Sequence, residues 1–259
     1  MLRILFIGDI VSRLGREVIR KSLPKIRKGD NVDLAVGNVE NLAGGRGTTR
    51  STVEEILSAG VDYCTSGDHI FAIDEFKDDI EDLPVLRPAN YPEDIPGKGF
   101  EVLDLGSETV LLINILGLSI GEENIACPFR TVDRLLTQHA SDVSTVVVEF
   151  HAEKTSERRA MGFYLDGRVA ALVCTHTHIP TADAQILPQG TAYVSDIGMC
   201  GPRDSVLGVK KEIIIERYKY PYGRRFEWVK EGPAKFNSVL VEINDKGVAK
   251  SIKRIDMEC

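Results

Sequence analysis

The sequence lacks the features that mark membrane, secreted and nucleic-acid-binding proteins. Its five cysteines include no CxxC pair, which predicts a reduced, cytoplasmic setting without a disulfide framework. No apolar run approaches the roughly 20 residues that span a bilayer, and Asp9 interrupts the apolar N-terminus too early for a signal peptide. A net charge of −7 argues against an extended surface for nucleic acid or anionic membrane. This net charge is still compatible with a nucleotide bound through metal ions, because the charge of bound metal is not included in it.

What is present is an ordinary globular composition. The chain has 259 residues, of which 43% are hydrophobic, so it can bury a large core without covalent cross-links. We find no internal repeat and no low-complexity linker. The sequence therefore predicts one domain over residues 1–259.

Strand and helix patterns alternate through most of the chain. Runs rich in Val, Ile and Leu predict strands that are buried on both faces, at 2–8, 32–38, 61–67, 109–117, 144–151 and 169–176. Helix-like segments lie between some of them, at 15–28, 52–60, 130–140 and 154–165. This alternation predicts an α/β sandwich.

The C-terminal part of the sequence follows a different pattern. Residues 210–220, 235–244 and 248–257 have the composition of antiparallel strands, with no helix predicted between them. We expect residues 206–259 either to complete the second sheet of the sandwich or to form an oligomer surface.

Polar side chains follow five of the predicted strands. They are Asp9, Glu40, Asn41, Asp68, His69, Glu149, His151, Glu153, His176, His178 and Asp183. Ligands of α/β proteins gather at the carboxyl ends of strands, so these side chains should meet at one edge. Each has an ordinary structural explanation by itself, since Gly67-Asp68-His69 could be a simple turn. The fifth histidine, His139, falls in a helix-like stretch and is predicted to be structural.

The residue types indicate which metals such a site would bind. Imidazoles mixed with carboxylate and amide oxygens suit Fe, Mn, Zn or Ni better than Mg or Ca alone. No cysteine is among them, which argues against a structural zinc site. The candidates are too many for one tetrahedral ion and suit two ions that share a carboxylate. His176 and His178 would point the same way on an extended backbone, or towards two adjacent metals if the chain turns.

The glycine-rich stretch AGGRG, at 43–47, is compatible with two interpretations. It lacks a following GK[ST] and a full G-x-G-x-x-G, so a flexible loop competes with a phosphate-binding loop. Arg46 within it is either a contact to a substrate phosphate or an ordinary surface residue.

Five short blocks resemble a known family. GDIV, GNVEN, GDH, FHAE and CTHTH are similar to the blocks of calcineurin-like metallophosphoesterases, in particular to their bacterial YmdB-like branch. LRPANYP (86–92), THTHIPTAD and GTAYVSDIGMCGPRDSVLG (190–208) resemble that branch too, so the similarity extends over nearly the whole chain.

The resemblance implies a four-layer α/β/β/α sandwich and a dinuclear metal centre. One metal ion would be bound by Asp9, Glu40, Asn41 and His178. The other would be bound by Asp68, His151 and His176, with Glu40 bridging the two. His69 would act as the catalytic acid that protonates the leaving oxygen.

The resemblance also implies a phosphodiesterase, with 2′,3′-cyclic nucleotides among its substrates. A hydroxide that bridges two metal ions, Fe or Mn first and Zn, Ni or Mg as alternatives, would attack phosphorus. The family's members are often homo-oligomers. We expect the ligand imidazoles to be oriented by some of four carboxylates, which are Glu149, Glu153, Asp183 and Asp196.

Several positions depart from the family pattern. The usual D-x-H block is Asp9-Ile10-Val11, and Val39 and Cys174 stand where glycine is common. The block that usually contains Gly-Asn-His has Asp68 at its centre. Two divalent ions, three carboxylates and a hydroxide sum to zero charge, whereas an asparagine would leave one positive charge. Asp68 therefore predicts weaker attraction for a phosphate anion, or a preference for trivalent iron.

Three other interpretations stay open at this point. An amidohydrolase or PHP-type metal hydrolase also uses His-x-His, but there the pair usually follows the first strand, and here it follows the sixth. A regulatory scaffold could keep the metal site and act through partners with little turnover. A purely structural α/β domain would bind no metal.

Overall fold

The computed structural model describes residues 1–121 and 124–259. Its first sheet has seven strands, in the order β2-β11-β12-β1-β3-β4, with β13 paired to β12. Their bounds are β1 Leu2–Ile7, β2 Asp9–Ile10, β3 Leu34–Asn38, β4 Tyr63–Thr65, β11 Met199–Pro202, β12 Ala234–Ile243 and β13 Ala249–Glu258. β1, β3 and β4 are parallel neighbours, so their carboxyl ends meet at one edge.

The second sheet has six strands, in the order β5-β6-β7-β8-β10-β9. Their bounds are β5 Phe100–Asp104, β6 Thr109–Leu116, β7 Thr145–His151, β8 Ala171–Thr175, β9 Gln185–Ile186 and β10 Ala192–Val194. β6, β7, β8 and β10 run parallel, whereas β5 and β9 are antiparallel edge strands.

Five α-helices accompany the two sheets in the described part of the chain. They are α1 Ser12–Asp30, α2 Arg50–Ser58, α3 Pro128–His139, α4 Thr155–Leu165 and α5 Lys211–Lys219. Short 3₁₀ helices span Asp74–Asp78, Ile80–Asp82, Leu118–Ile120 and Ala140–Asp142. None of the helices in the described ranges is long and apolar enough to cross a membrane.

Three buried apolar clusters define four layers. The first lies between α1, α2 and the first sheet, and includes Val18, Ile19, Val53 and Ile56. The second lies between the two sheets and combines residues of both, such as Phe6 and Val147. The third lies between the second sheet and α3 and α4, with Leu135, Met161 and Tyr193 among its members. The predicted α/β/β/α sandwich is confirmed, because each sheet has one face on the other sheet and one under helices.

The structure corrects two predictions for the C-terminal part. Residues 211–219 form a helix, not the predicted strand, although three consecutive isoleucines favour a strand. Only Ile213 of that run is buried, and Ile215 is 54% exposed, so the segment is not a strand with two covered faces. Glu212 in the first turn and Lys219 in the last turn match the helix dipole.

The second correction concerns the sheet that the C-terminal strands complete. β12 pairs with β13 as predicted, but it also pairs with β1 from Leu2↔Ile243 to Ile7↔Ser238. The pair therefore completes the sheet begun by the N-terminus, not the second one. β12 supplies Val239 and Val241 to the core between the sheets, which explains why this strand is buried along most of its length.

Candidate metal centre

The predicted ligands lie where strands of both sheets end. Asp9 follows β1, Glu40 and Asn41 follow β3, and Asp68 follows β4. From the second sheet, His151 is the last residue of β7 and His176 follows β8. The structure therefore brings together side chains that are far apart in sequence, as the strand-end pattern predicts.

Two groups of potential ligands share one carboxylate. Glu40, Asp68, His151 and His176 form the first group, and Asp9, Glu40 and His178 form the second. Within each group the ligand atoms lie within 4.8 Å of one another. This division agrees with the one that the resemblance implies, and Glu40 occupies the position of the bridging residue.

The first group surrounds the buried imidazole of His151. Its Nε2 lies 3.3 Å from Glu40 Oε2, 3.4 Å from Asp68 Oδ1 and 2.9 Å from His176 Nδ1. The two imidazole rings meet edge to face, with their centroids 4.7 Å apart. Four donor atoms thus face a common centre, three from loops and one from the last residue of β7.

All members of the second group are buried. His178 Nε2 lies 3.2 Å from Asn41 Oδ1 and 3.8 Å from Asp9 Oδ1. Asn41 also donates from Nδ2 to the Gly45 carbonyl at 3.2 Å, which leaves its oxygen pointing at His178. The Asn41 amide oxygen therefore lies beside the second group.

Gly67 allows the two sides of the first group to approach each other. A Cβ at this position would lie 2.2 Å from Glu40 Oε2 and 2.3 Å from His151 Nε2. No side chain can occupy that space unless one of these two groups moves. The glycine before Asp68 is thus required by close packing in the site, in addition to any role in a turn.

The backbone between the two metal-type histidines turns sharply. His176 has φ 109° and His178 has φ 64°, both in the left-handed region that non-glycine residues seldom adopt. The turn directs His176 to the first group and His178 to the second. The two histidines therefore do not point the same way, as they would on an extended backbone, but towards different ligand groups.

A buried ion pair supports this turn. Thr177 between the histidines donates from its backbone N–H (3.0 Å) and its hydroxyl (2.7 Å) to Asp196 Oδ2. Asp196 is paired at 3.0 Å with Arg158, whose guanidinium also donates to the carbonyls of Thr175 and Ser195. Arg158 is buried on α4, and we found no sequence signal that distinguishes it from the surface arginines of that helix.

The other three candidate carboxylates differ in what they contact. Glu153 Oε2 lies 3.0 Å from His176 Nε2 and can orient that ring directly. Glu149 accepts at 3.0 Å from Thr175 Oγ1, which is itself 2.9 Å from His151 Nδ1, so it acts through a hydroxyl. Asp183 instead accepts from Thr181 and from the Ser195 backbone N–H, which supports a loop rather than an imidazole.

Sequence reasoning missed the neutral partners of Glu149. Asn38 donates to Glu149 at 2.6 Å, and the hydroxyl of Thr65 donates to it too. Both residues end strands of the first sheet, whereas Glu149 belongs to the second. Their position at strand ends was visible in the sequence, but their partner across the sandwich was not.

Charge in the cluster is concentrated and strongly coupled. Burial raises the pKa of Asp9 well above its usual value, and it lowers the pKa of His178 to about 4. Burial also disfavours the charged form of His151, but Glu40 and Asp68 outweigh it and raise the pKa of that imidazole to about 10. The carboxylates thus attract positive charge to the centre. A divalent cation would supply this positive charge in place of a proton, since an imidazole binds metal only in its neutral form.

The donor set fits divalent metal ions. Asp9 Oδ1 and Asp68 Oδ1 are buried and, among the described residues, accept no hydrogen bond. Buried carboxylate oxygens without a partner are unfavourable in a folded protein, and coordination to a cation satisfies them. Imidazole, carboxylate and amide donors together are typical of transition-metal sites in enzymes.

His69 lies at the rim of the cluster. Its Nδ1 is 3.3 Å from Glu40 Oε1, its Nε2 is 3.3 Å from Asp68 Oδ2, and 28% of its side chain is exposed. Burial by itself would lower the pKa of His69. The hydrogen bond with Glu40 and the nearby carboxylate charges outweigh this effect, so the pKa of His69 is raised overall. The exposed positive charge of Arg46 partly opposes this shift.

The cluster forms the floor of a cleft of about 710 Å³. Glu40, His69, His176 and His178 contribute to that floor, and Arg46 lines the cleft beside them. The opposite wall comes from residues 206–228, the stretch in which a strand was predicted and α5 is found.

The glycine-rich stretch 43–47 packs against this wall. A Cβ at Gly45 would lie 2.2 Å from the indole ring of Trp228. Close packing against an aromatic ring therefore explains why position 45 is a glycine. The next residue, Arg46, lines the cleft.

Comparison with known sequences identifies relatives over almost the full chain. The family described as YmdB-like protein matches residues 5–255. A protein of Bacillus subtilis (strain 168), named 2′,3′-cyclic-nucleotide 2′-phosphodiesterase, is 39% identical over 246 residues, which are 95% of this chain and 92% of that protein.

Comparison with solved structures agrees with this result. A structure described as a novel phosphatase from Mycoplasma pneumoniae has a TM-score of 0.94 and 30% identity, and the match covers 99% of this chain and 93% of that one. A hypothetical protein from Thermus thermophilus has a TM-score of 0.92 and 38% identity, with 99% of each chain covered.

Proposed function

The chain belongs to the YmdB-like family, and from this premise we propose that it is a dinuclear-metal phosphodiesterase that hydrolyses 2′,3′-cyclic nucleotides. The observation that carries the proposal is the shared carboxylate. Glu40 belongs to both ligand groups at the floor of one cleft, which is the arrangement that two neighbouring ions need. The substrate class is drawn from the name of the B. subtilis relative.

In this proposal each group binds one ion. Asp9, Asn41 and His178 would hold the first, Asp68, His151 and His176 would hold the second, and Glu40 would serve both. Bound divalent ions would activate water and stabilise charge on the phosphoryl oxygens. Fe and Mn suit the mixed nitrogen and oxygen donors best, with Zn, Ni and Mg as alternatives.

The chain's own residues then position the ester and supply a proton. Hydrolysis forms one bond from phosphorus to the water oxygen and breaks one ester bond, so the leaving alkoxide needs a proton. His69, at the exposed rim of the cluster, is placed to donate it as general acid. Arg46 lines the same cleft and would bind a non-bridging phosphate oxygen.

The test separates metal binding from proton transfer. Protein purified with Mn or Fe is assayed on 2′,3′-cyclic AMP and on a chromogenic phosphodiester, and its metal content is measured. Glu40→Ala and His151→Ala should lose both metal and turnover. His69→Ala should keep its metal and lose turnover by about a hundredfold or more.

A fifth histidine provides the matched control. The His139 ring packs against Phe100 in a tilted arrangement, with the ring centroids 4.6 Å apart. His139 is not among the ligand groups, so His139→Ala should retain metal and turnover. Full activity in His69→Ala would remove the general-acid assignment. Stoichiometric metal with no turnover on any phosphoester would instead support the regulatory scaffold.

A further inference from the structure

Residues 206–228 form a protruding segment that is closed at its base. Val209 forms β-bridges with both Val206 and Trp228, and the Val229 N–H donates to the Gly208 carbonyl at 2.9 Å. α5 lies within this closed excursion. We call residues 206–228 the cap segment. Its two ends are tied together, so the helix between them has a defined position over the cleft.

Trp228 anchors the cap segment beside the metal centre. Its indole ring packs against Gly45, and a Cβ at Gly208 would lie 2.9 Å from the same ring. Both glycines have positive φ, and no larger residue would allow this approach. The cap segment is thus built onto the loop that carries Arg46.

The cap segment presents exposed apolar and aromatic side chains to the cleft. Ile214 and Tyr218 are four residues apart on α5 and share one helix face. Tyr218 is 90% exposed, and Phe226, which also lines the cleft, is 46% exposed. Exposed apolar side chains that line one cleft together are typical of a ligand-binding groove.

The occupant of this cleft must satisfy two different surfaces. The floor carries the metal-type ligands, whereas the wall is mainly apolar and aromatic. Its one charged member, Arg217, lies over one face of the Phe226 ring, with Cζ 4.8 Å from the centroid. A molecule that joins a phosphate ester to a flat aromatic ring meets both demands. A cleft of about 710 Å³ is also within the range of small-molecule sites.

We propose that the cap segment is the base-binding subsite, in which Tyr218 and Phe226 stack on the nucleobase of a substrate whose phosphate lies at the metal centre. The inference rests on the proposed function and adds to it which residues recognise the base. Stacking accepts any base, since each has a π face, so the subsite favours nucleotides over base-free esters without selecting among bases.

The first test uses the only tryptophan of the chain as a probe. Trp228 lines the cleft, so its fluorescence reports ligand binding to the metal-loaded protein. Adenosine 3′-phosphate should bind about tenfold more tightly than glycerol 2-phosphate, which lacks a base. Tyr218→Ala and Phe226→Ala should each bring the two affinities closer together.

The second test uses the same contrast in catalysis. The ratio of kcat/KM for 2′,3′-cyclic AMP to that for glycerol 1,2-cyclic phosphate should fall about tenfold in either variant. The value for 2′,3′-cyclic AMP should decrease, whereas the value for the glycerol ester should stay the same. Tyr222→Ala is the matched control, because Tyr222 is 68% exposed, stacks on Tyr220 and is not among the residues that line the cleft. Its ratio should equal that of the parent.

The outcomes distinguish this inference from the function on which it rests. Equal loss on both substrates, or unchanged ratios in both variants, overturns the subsite. A parent that hydrolyses both esters without preference, and binds both monoesters equally, also overturns the subsite and leaves the phosphodiesterase intact. A parent that binds the nucleotide preferentially but hydrolyses neither ester supports the subsite and contradicts the proposed function. Metal content and Tm of each variant check that it is folded.

Discussion

At the scale of single residues, the site depends on a few atoms that no other residue type could replace. Glu40 belongs to both ligand groups, and its two oxygens lie near different imidazoles, Oε1 near His69 Nδ1 and Oε2 near His151 Nε2. Gly67 leaves the space in which these groups meet. Small changes at such positions should therefore have large effects on metal binding and small effects elsewhere.

Gly67→Ala should abolish metal binding in an otherwise folded protein. Its methyl group would overlap Glu40 Oε2 and His151 Nε2, so one of these ligands must leave its position. We expect turnover to fall by at least about a hundredfold, because a misplacement of about 1 Å is enough for such a loss. Metal content and kcat measure the effect. Gly29→Ala, at a helix position with no atom near the new methyl group, should retain both values.

Asp68→Asn tests the charge of the centre. Asp68 approaches His151 Nε2 at 3.4 Å and His69 Nε2 at 3.3 Å, and an asparagine keeps this shape while it removes one negative charge. We expect the variant to keep its fold and metal, with a KM for the anionic substrate several-fold lower or a shift away from trivalent iron. Steady-state kinetics and metal titration measure both. Parent-like values in both would mean that the substitution is neutral and the charge argument is wrong.

At the scale of elements, short loops after parallel strands convert the sheet order into a site. The loop after β8 is the most constrained, since two left-handed residues place His176 and His178 in different ligand groups. The structure supports it with the Arg158–Asp196 pair, both partners of which are buried. The stability of this loop should follow that of the pair.

Asp196→Asn should destabilise the protein and loosen the histidine turn. The change leaves Arg158 buried without a counter-charge, and losing one partner of a buried pair costs about 3–5 kcal/mol. We expect a lower free energy of unfolding in urea and weaker metal binding. Asp204→Asn, in an exposed pair with Arg203, should change stability by less than about 1 kcal/mol. Equal effects in the two variants would contradict the role assigned to the buried pair.

The cap segment is the element that sequence patterns predicted least well. Its isoleucine run favours a strand, but α5 lies outside both sheets and at the wall of the cleft. No local pattern indicates that Gly45, about 180 residues earlier, makes room for Trp228. The position of the cap segment therefore depends on packing between residues that are distant in sequence.

At the scale of the whole molecule, the site joins the two sheets. Glu40 and Asp68 come from the first sheet, whereas His151 and His176 come from the second. A metal ion bound by all four would connect the two halves of the sandwich. Removal of metal should therefore act on global stability as well as on turnover.

Chelation should lower the Tm of the metal-loaded protein. A ligand that binds only the folded state at a hundred times its Kd stabilises it by about 2.7 kcal/mol. For a chain of this size that is a shift of about 5–10 °C. Scanning calorimetry with and without chelator measures it. His151→Ala should show little further decrease with chelator, whereas an unchanged Tm in the parent would mean that metal does not bridge the sheets.

Assembly belongs to the same scale and stays a prediction. The homo-oligomer that the family resemblance implies is untested, and so is the cytoplasmic location predicted from the sequence. The expectation of one domain over the whole chain also stays a prediction. The family match over residues 5–255 is consistent with it.

The sequence by itself determined the α/β sandwich and the set of potential metal ligands. Periodicity and turn residues are local, so the strands, most helices and the polar residues after each strand could be predicted without knowing their partners. The rule that ligands gather at the carboxyl ends of parallel strands then placed Asp9, Glu40, Asp68, His151 and His176 together.

Only the tertiary structure decided how these residues are divided between two ligand groups and which segment forms the wall of the cleft above them. The two ligand groups, the buried support from Arg158 and the cap segment depend on contacts between parts of the chain that are distant in sequence. Such contacts leave no periodic signal, because any residue of suitable size and charge on either element could satisfy them. The fold has to bring the elements together before their chemistry can be assigned.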